Sequence, residues 1–227
     1  MNVCCMSDMH GYLDFDIPEA DLYLIAGDVC PVWDHTESYQ LEWLHSDFKA
    51  FLERLGMERV LWVGGNHDLA LERPVCPLDD NLRETYLVGE AKERAGLKVW
   101  GSPWSTPFGN WAFMLNEKIA DSIYGMIPED VDIIISHGPP YGFGDMVVHY
   151  NDMVGLKLNE PFVRHTGSKK LRNSIKQIQP KLVVTGHIHE CYGLHPINMG
   201  QKEIPVANVS VLDVEYELVN KPMVFTF

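Results

Sequence analysis

Short apolar runs alternate with amphipathic stretches along most of this chain. Six runs are short, apolar and bounded by glycine or polar residues, which is the pattern of buried strands. The predicted strands are NVCCMS (2–7), LYLIAG (22–27), RVLWVGG (59–65), LKVWGS (97–102), VDIIISHG (131–138) and KLVVTGH (181–187). Their alternation with amphipathic stretches predicts an α/β layered fold.

Two stretches have apolar residues at helical spacing instead. The first lies between the second and third strands and ends at Gly56, since a glycine often follows the last helical turn. Its apolar positions are Leu41, Leu44, Phe48, Phe51, Leu52 and Leu55. The second predicted helix is GSKKLRNSIKQIQP (167–180), with Leu171, Ile175 and Ile178 facing inward and a proline as the stop. The chain after Cys191 predicts further strands joined by tight turns.

The composition is that of an ordinary folded domain. With 227 residues, 46% of them hydrophobic and 22% charged, the chain can bury a substantial core, and we expect one domain over residues 1–227. It contains no long apolar run that would predict a transmembrane helix. The N-terminus MNVCCMSDMH lacks the basic start and the long apolar stretch of a secretory signal.

The cysteines and the net charge narrow the expected location and partners. The cysteines, an odd number without CxxC spacing, favour a reducing cytoplasm over a disulfide framework. They are Cys4, Cys5, Cys30, Cys76 and Cys191, and we expect the first two to pack on opposite faces of the first strand. The formal charge of −14 disfavours long nucleic acid and anionic membranes, so an anionic substrate must be small. The oligomeric state stays open, with a dimer as one option.

Polar motifs follow five of the six predicted strands. They are SDMHG after the first strand, GDV after the second, GGNHD after the third, SHGPP after the fifth and GHIH after the sixth. Ligands of open α/β sheets bind at the carboxyl ends of strands, so we expect these loops to converge. Alternate side chains of an extended segment point the same way, which lets His187 and His189 aim at one point.

The five motifs supply oxygen and nitrogen donors without any thiolate. The candidate metal ligands are Asp8, His10, Asp28, Asn66, His137, His187 and His189. This is more than one tetrahedral zinc ion can use, and it suits two divalent ions that share a carboxylate. Mn²⁺, Fe and Zn²⁺ all accept mixed imidazole and carboxylate ligands. Two such ions about 3.5–4 Å apart can hold a hydroxide between them and support in-line displacement at phosphorus.

Taken in order, the motifs DMH, GD, GNHD, H and GHIH resemble the signature of the calcineurin-like metallophosphoesterase superfamily over residues 8–189. The resemblance implies a four-layer αββα sandwich with a dinuclear metal site at its edge. It also implies that Asp8, His10 and His189 bind the first ion, while Asn66, His137 and His187 bind the second. Asp28 would bridge the two ions. His67 would contact the scissile phosphate and protonate the leaving oxygen, as a histidine can near neutral pH.

A narrower likeness lies in GSPWSTPF (101–108), SHGPPYGFGD (136–145) and PKLVVTGHIHECYG (180–193). These stretches are similar to small metallophosphoesterases related to the vertebrate metallophosphoesterase-domain-containing proteins. That likeness implies hydrolysis of small phosphodiesters, including cyclic nucleotides, with Mn²⁺ favoured in vitro. VANVS (206–210) is similar to an asparagine-bearing strand of the same subgroup, whereas residues 146–168 form a longer connection than the subgroup leads us to expect.

Other readings stay open at this level. Within enzymes, the rivals are a phosphomonoesterase, including a protein phosphatase, and a nuclease, which the acidity disfavours. Outside enzymes, the rival is a non-catalytic scaffold of the same fold, which has no need of a complete ligand set. We further expect Asp68 to cap the helix that follows it and His35 to be an ordinary surface residue.

Overall fold

The computed structural model describes residues 1–73, 78–149 and 162–227, and its main strands form two facing sheets. The strands up to residue 149 are β1 (Asn2–Met6), β2 (Leu22–Ala26), β3 (Val60–Val63), β4 (Glu90–Arg94), β5 (Leu97–Ser102), β6 (Ile133–Ser136) and β7 (Met146–His149). The later strands are β8 (Phe162–His165), β9 (Leu182–Thr185), β10 (Gly193–Leu194), β11 (Ile197–Asn198), β12 (Glu203–Ile204), β13 (Val206–Asn208) and β14 (Met223–Thr226). All six strands predicted from the apolar runs are present.

Both sheets are mostly parallel and are closed by antiparallel edge strands. The first has the order β14-β1-β2-β3, and the second has the order β10-β13-β9-β6-β5-β4. In the first sheet β1, β2 and β3 are parallel, and in the second β13, β9, β6 and β5 are parallel. The sequence analysis missed β4, whose residues EAKER form a solvent-facing edge and therefore show no apolar run.

Helices cover the outer face of each sheet. They are α1 (Glu37–Trp43), α2 (Lys49–Leu55), α3 (Asp80–Thr85), α4 (Asp121–Tyr124) and α5 (Lys169–Ile178). The long helix predicted between β2 and β3 is present, but residues Leu44–Phe48 are π-helical and separate α1 from α2. Helix α5 begins where the Ser168 hydroxyl accepts from the Leu171 N–H, and it ends at Gln179 in the left-handed conformation.

Three apolar clusters make the four layers. Cys5 and Leu24 of the first sheet pack against Val99 and other residues of the second sheet, which forms the central cluster. The outer face of the first sheet, which includes Cys4, packs on α1 and α2, while the outer face of the second packs on α4 and α5. The predicted four-layer αββα sandwich is therefore confirmed, as is the placing of Cys4 and Cys5 on opposite faces of β1.

Two sequence predictions fall at least partly outside the described residues. Cys76 lies in the first gap, and most of the connection over 146–168 lies in the second, between the paired strands β7 and β8. Within the described ranges, none of the helices has both the length and the hydrophobicity needed to cross a bilayer.

Candidate metal centre

The loops that follow β1, β2, β3, β6 and β9 meet at one edge of the sandwich. Backbone hydrogen bonds link them, including Asp8 N–H to Gly27 O at 3.0 Å and His10 N–H to Asp28 O at 3.0 Å. Asp8, His10, Asp28 and His187 all have positive φ angles, between 45° and 70°. Such angles are uncommon outside glycine and concentrate at functional sites, so the loops hold these side chains in conformations that the fold imposes.

One cluster of donors consists of Asp8, His10 and His189. A ligand atom from each lies within 4.8 Å of the other two. His10 Nε2 is 3.3 Å from His189 Nε2, and His189 Nε2 is 3.5 Å from an Asp8 carboxylate oxygen. Two imidazole nitrogens facing each other beside a carboxylate form a suitable environment for a shared cation. This cluster matches the set that the sequence assigns to the first ion.

A second cluster consists of Asp28, His137 and His187, whose ligand atoms also lie within 4.8 Å of one another. Asn66 joins it, because its Oδ1 is 2.9 Å from His137 Nε2. All seven candidate ligands therefore gather at one site, and the two clusters correspond to the two ligand sets that the family resemblance implies.

Asp28 lies between the two clusters. Its Oδ2 is 3.7 Å from His10 Nε2 in the first cluster and 3.4 Å from His137 Nε2 in the second. Its Oδ1 accepts the His67 N–H at 2.7 Å, which fixes the orientation of the carboxylate. One carboxylate oxygen thus faces an imidazole from each side, which is the position of a bridging ligand between two ions.

The remote nitrogens of two histidines are held by backbone carbonyls. His137 Nδ1 lies 2.9 Å from Ala26 O, and His189 Nδ1 lies 2.7 Å from Asp213 O. A proton on each Nδ1 leaves Nε2 with a free lone pair directed into the site, which is how proteins commonly fix metal-binding histidines. The donor chemistry therefore fits divalent ions of the Mn²⁺, Fe and Zn²⁺ class.

Burial and neighbouring charges set the protonation of these groups. Burial lowers the pKa of both His10 and His187 to about 3, so their imidazoles are neutral. Burial also lowers the pKa of His137, but the Asp28 carboxylate outweighs burial and raises the pKa of this histidine to about 9. Burial would raise the pKa of Asp28, yet the adjacent histidines hold it well below its usual range. The site therefore keeps its carboxylate ionised, and metal binding would displace the proton on His137.

The histidine loop after β9 is held by buried polar groups. The Asp8 carboxylate accepts the His187 N–H at 3.0 Å and the Ser210 hydroxyl at 2.7 Å. The Asn208 amide donates to Gly186 O at 3.1 Å and to Ile188 O at 2.8 Å. These contacts position both His187 and His189, so Asn208 supports the site without pointing into it.

Two glycines permit the close approach of backbone to ligand. A Cβ atom at Gly65 would lie 2.3 Å from Asp28 Oδ1, and one at Gly186 would lie 2.3 Å from Asp8 Oδ2. Both distances are far below van der Waals contact, so a side chain at either position must displace a candidate ligand.

His67 lies at the mouth of the site, in the wall of a pocket of about 310 Å³ that also includes Asp28, Asn66, His187 and His189. A ring nitrogen of His67 comes within 4.8 Å of donor atoms of His10 and Asp28. His35 Nε2 lies 2.9 Å from His67 Nδ1, and the Trp111 ring is tilted against the His67 ring with 4.4 Å between the ring centroids. The prediction that His35 is an ordinary surface residue is therefore wrong, because it contacts the candidate general acid.

The prediction for Asp68 is also wrong. It precedes a short 3₁₀ turn, but its side chain makes no capping hydrogen bond there. The buried carboxylate instead accepts the N–H groups of Cys30 at 2.8 Å and Gly65 at 2.7 Å. Asp68 therefore ties the loop after β2 to the loop after β3.

This geometry agrees with comparisons to known proteins. Residues 1–191 match the family model described as calcineurin-like phosphoesterase. The chain belongs to the calcineurin-like phosphoesterase family. Members of this family generally use two divalent metal ions to hydrolyse phosphoric esters, and the two clusters sharing Asp28 are consistent with that chemistry.

Two curated relatives are similar to this chain over 97% of its length. The chain is 30% identical to the human metallophosphoesterase domain-containing protein 1, over 97% of this chain and 69% of that protein. It is 26% identical to the UPF0046 protein T07D4.2 of Caenorhabditis elegans, over 97% of this chain and 58% of that protein. A solved structure, TT1561 of Thermus thermophilus, shares the fold with a TM-score of 0.54 at 14% identity, covering 99% of this chain and 98% of that one.

The phosphoesterase motifs end at His189, and the sequence analysis assigned no role to the segment that follows Ser210. There the Asp213 carbonyl fixes His189, and the Tyr216 ring lies 4.9 Å from the His10 ring. A backbone carbonyl carries no sequence signal, and a single tyrosine in a polar stretch has no diagnostic spacing. These contributions could be found only from the folded chain.

Proposed function

We propose that this chain is a dinuclear metal-dependent phosphodiesterase that acts on small phosphodiesters, with cyclic nucleotides among the candidate substrates. One observation carries the proposal: Asp28 Oδ2 lies 3.7 Å from His10 Nε2 and 3.4 Å from His137 Nε2, so one carboxylate oxygen serves two donor clusters. A non-catalytic scaffold of this fold has no need of such a pair of clusters.

In this proposal each residue keeps the role that the family resemblance implies. Asp8, His10 and His189 would hold one ion, Asn66, His137 and His187 would hold the other, and Asp28 would be a ligand to both. When bound, the two ions supply an activated water and neutralise the charge that develops on the phosphoryl oxygens. Mn²⁺, Fe and Zn²⁺ are the candidates, and Mn²⁺ is the ion of choice for assay.

His67 is the proposed general acid. Its N–H bond to Asp28 ties its backbone to the metal centre, and the Gln40 amide holds its carbonyl at 2.7 Å. These contacts place a half-buried imidazole in the wall of the pocket, where the leaving oxygen of a bound ester would lie. Protonation of a leaving alkoxide by a positioned imidazole contributes typically about 10²–10⁴-fold to the rate. No covalent intermediate on the protein is needed.

The surroundings of the site favour a small diester. A second pocket of about 810 Å³ shares Phe108, His187 and Glu190 with the first, which leaves room for a second ester arm. A phosphomonoester has one arm and would leave this space unused. The charge of −14 still disfavours long nucleic acid as substrate. A cytoplasmic location is part of the proposal, and Cys4, Cys5, Cys30 and Cys191 are buried free thiols.

The test is the initial rate of Mn²⁺-dependent hydrolysis of bis-p-nitrophenyl phosphate, compared with p-nitrophenyl phosphate. We expect the diester to be preferred, and we expect His67→Ala to lose about 10²-fold or more in kcat while it retains both metal ions. His45→Ala is the matched control, because this exposed histidine bonds to its own helix at Leu41 O. Preference for the monoester would replace the diesterase by a phosphomonoesterase. Loss of metal from His67→Ala would make His67 a ligand instead of an acid.

A further inference from the structure

The larger pocket beside the metal centre has two unlike walls. It has a volume of about 810 Å³ and meets the metal-site pocket at Phe108, His187 and Glu190. One wall carries the apolar side chains of Pro107 and Phe108. Its size is within the range of small-molecule sites, and it opens directly beside the candidate metal ligand His187.

Another part of the lining, here called the cationic wall, carries two positive side chains in a protein with a net charge of −14. They are Arg164 and Lys169, and His165 lies beside them in the lining. Within the described ranges, no carboxylate oxygen lies within 4.0 Å of the Arg164 guanidinium or of the Lys169 ammonium, whereas the neighbouring Lys170 pairs with Asp121. The Lys169 ammonium lies instead 4.9 Å above the Tyr141 ring, which holds it at the pocket wall.

The pocket lining also contains two carboxylates, Glu117 and Glu190. Glu117 is held at the base of α5, where it accepts the Ser168 hydroxyl and the Lys169 backbone N–H, and among the described residues neither carboxylate pairs with the Arg164 guanidinium or the Lys169 ammonium. Glu190 lies where the two pockets meet. Two cations without an acidic partner among the described residues therefore face a cavity that lies beside the phosphate-binding centre.

The cationic wall is built on a buried carboxylate. Asp145 is fully buried, and it accepts the N–H groups of Gly142 and Gly167 at 2.9 Å and the His165 Nδ1–H at 2.7 Å. The carboxylate thereby joins the loop after β6 to the turn that leads into α5. The wall is consequently anchored to the sandwich from both sides, so its charges are held beside the cavity.

We propose that this pocket binds one arm of the substrate and that this arm carries a second anionic group, of which a phosphate is the test case. The inference rests on the proposed phosphodiesterase function and names its substrate class. The apolar wall receives the body of the arm, and Arg164 and Lys169 bind its anion by charge-assisted hydrogen bonds. The preferred substrate is then a small phosphodiester with a further phosphate, and a diester without a second anionic group is a poor one.

The test uses two esters that differ only in that anion: the p-nitrophenyl ester of thymidine 5′-phosphate, and the same ester with a 3′-phosphate. With Mn²⁺ and full-length protein, we expect kcat/KM to be about tenfold or more higher for the 3′-phosphorylated ester, mainly through KM. The double variant Arg164→Gln, Lys169→Gln should lose this preference, so that kcat/KM for the 3′-phosphorylated ester falls to about that of the ester without the 3′-phosphate. Lys176→Gln is the control, because it removes one charge from the exposed side of α5 and should keep the preference.

The outcomes separate this inference from the function on which it rests. Hydrolysis of both esters at equal rates, a preference retained by the double variant, or a preference lost equally in Lys176→Gln would overturn the inference and leave the phosphodiesterase intact. Hydrolysis of neither ester would overturn the phosphodiesterase. In that case, calorimetric titration with thymidine 3′,5′-bisphosphate and thymidine 5′-phosphate tests whether the pocket binds a second anion. Tighter binding of the bisphosphate, lost in the double variant, supports the anion site. Equal affinities for the two compounds reject it.

Discussion

Replacement of Asn208 by alanine should weaken the metal site without touching a ligand. Asn208 lies in β13, is fully buried, and donates from its amide to Gly186 O at 3.1 Å and to Ile188 O at 2.8 Å. Its Oδ1 accepts the Ser210 N–H at 3.1 Å. Because the two carbonyls lie on either side of His187, the amide fixes the backbone of a candidate ligand from both directions.

The size of the effect follows from the bonds that are lost. A buried polar group left without a partner costs about 1–3 kcal/mol, and the substitution leaves the Ser210 N–H in that state. The carbonyls of Gly186 and Ile188 lose one bond each but still accept the N–H groups of Ile188 and Cys191. The two bonds lost from these carbonyls add about 0.5–1.5 kcal/mol each, and relaxation of the loop reduces the sum, so we expect a loss of about 3 kcal/mol in the free energy of unfolding. Removing a side chain that orients metal ligands typically lowers metal affinity by about 10–100-fold, and we expect a loss in that range.

Two measurements on the same samples test this reasoning. Urea unfolding of chelated protein gives the stability change, and titration with Mn²⁺ gives the affinity. Asn220→Ala is the matched control, because the Asn220 amide donates to Ser210 O at 3.0 Å and so bonds outside the histidine loop. It should lose about 1 kcal/mol of stability and bind metal normally. Equal metal affinity in Asn208→Ala and wild type would refute the assigned role of Asn208.

Three further substitutions probe how the site and its neighbouring pocket are supported. Gly186→Ala places a Cβ 2.3 Å from Asp8 Oδ2, so it should release at least one of two metal ions, as measured by elemental analysis, and full metal content would contradict the steric argument. Asp68→Ala removes the acceptor of three backbone N–H bonds and should cost about 3 kcal/mol in urea unfolding, whereas a change below about 1 kcal/mol would show that the tie between loops is dispensable. Asp145→Ala frees His165 and two backbone N–H groups, and it should destabilise the chain by a similar amount; unchanged unfolding would show that the cationic wall is anchored elsewhere.

The sequence predicts the buried parts of this fold well for a physical reason. The strands β2, β3, β6 and β9 are fully buried, so each is a continuous apolar run. The edge strand β4 pairs only with β5 and has no such run, because its residues EAKER are exposed or half-buried and four of the five are charged. The π-helical residues Leu44–Phe48 keep their apolar positions buried, so periodicity alone does not separate them from a continuous helix.

The donors of the candidate site could be predicted because they lie in short motifs that follow the strands in a fixed order along the chain. The loops after five parallel strands meet because their carboxyl ends share one edge, and the ligand types then indicate metal chemistry. The residues that hold these donors and their loops in place were harder to predict. Asp68 looks like a helix cap in the sequence, yet a buried carboxylate between two loops finds better donors in the backbone of Cys30 and Gly65. His35 has no motif of its own, and only the fold brings it to His67.

The central claim is that Asp28 joins two metal ions in one site. The most direct measurement is the electron paramagnetic resonance spectrum of purified protein loaded with Mn²⁺, recorded for wild type and Asp28→Asn. We expect two Mn²⁺ ions per chain with the multiline spectrum of a magnetically coupled pair in the wild type, and loss of that coupling in the variant. A wild-type spectrum of isolated Mn²⁺ ions, or a coupled pair that persists in Asp28→Asn, would contradict it.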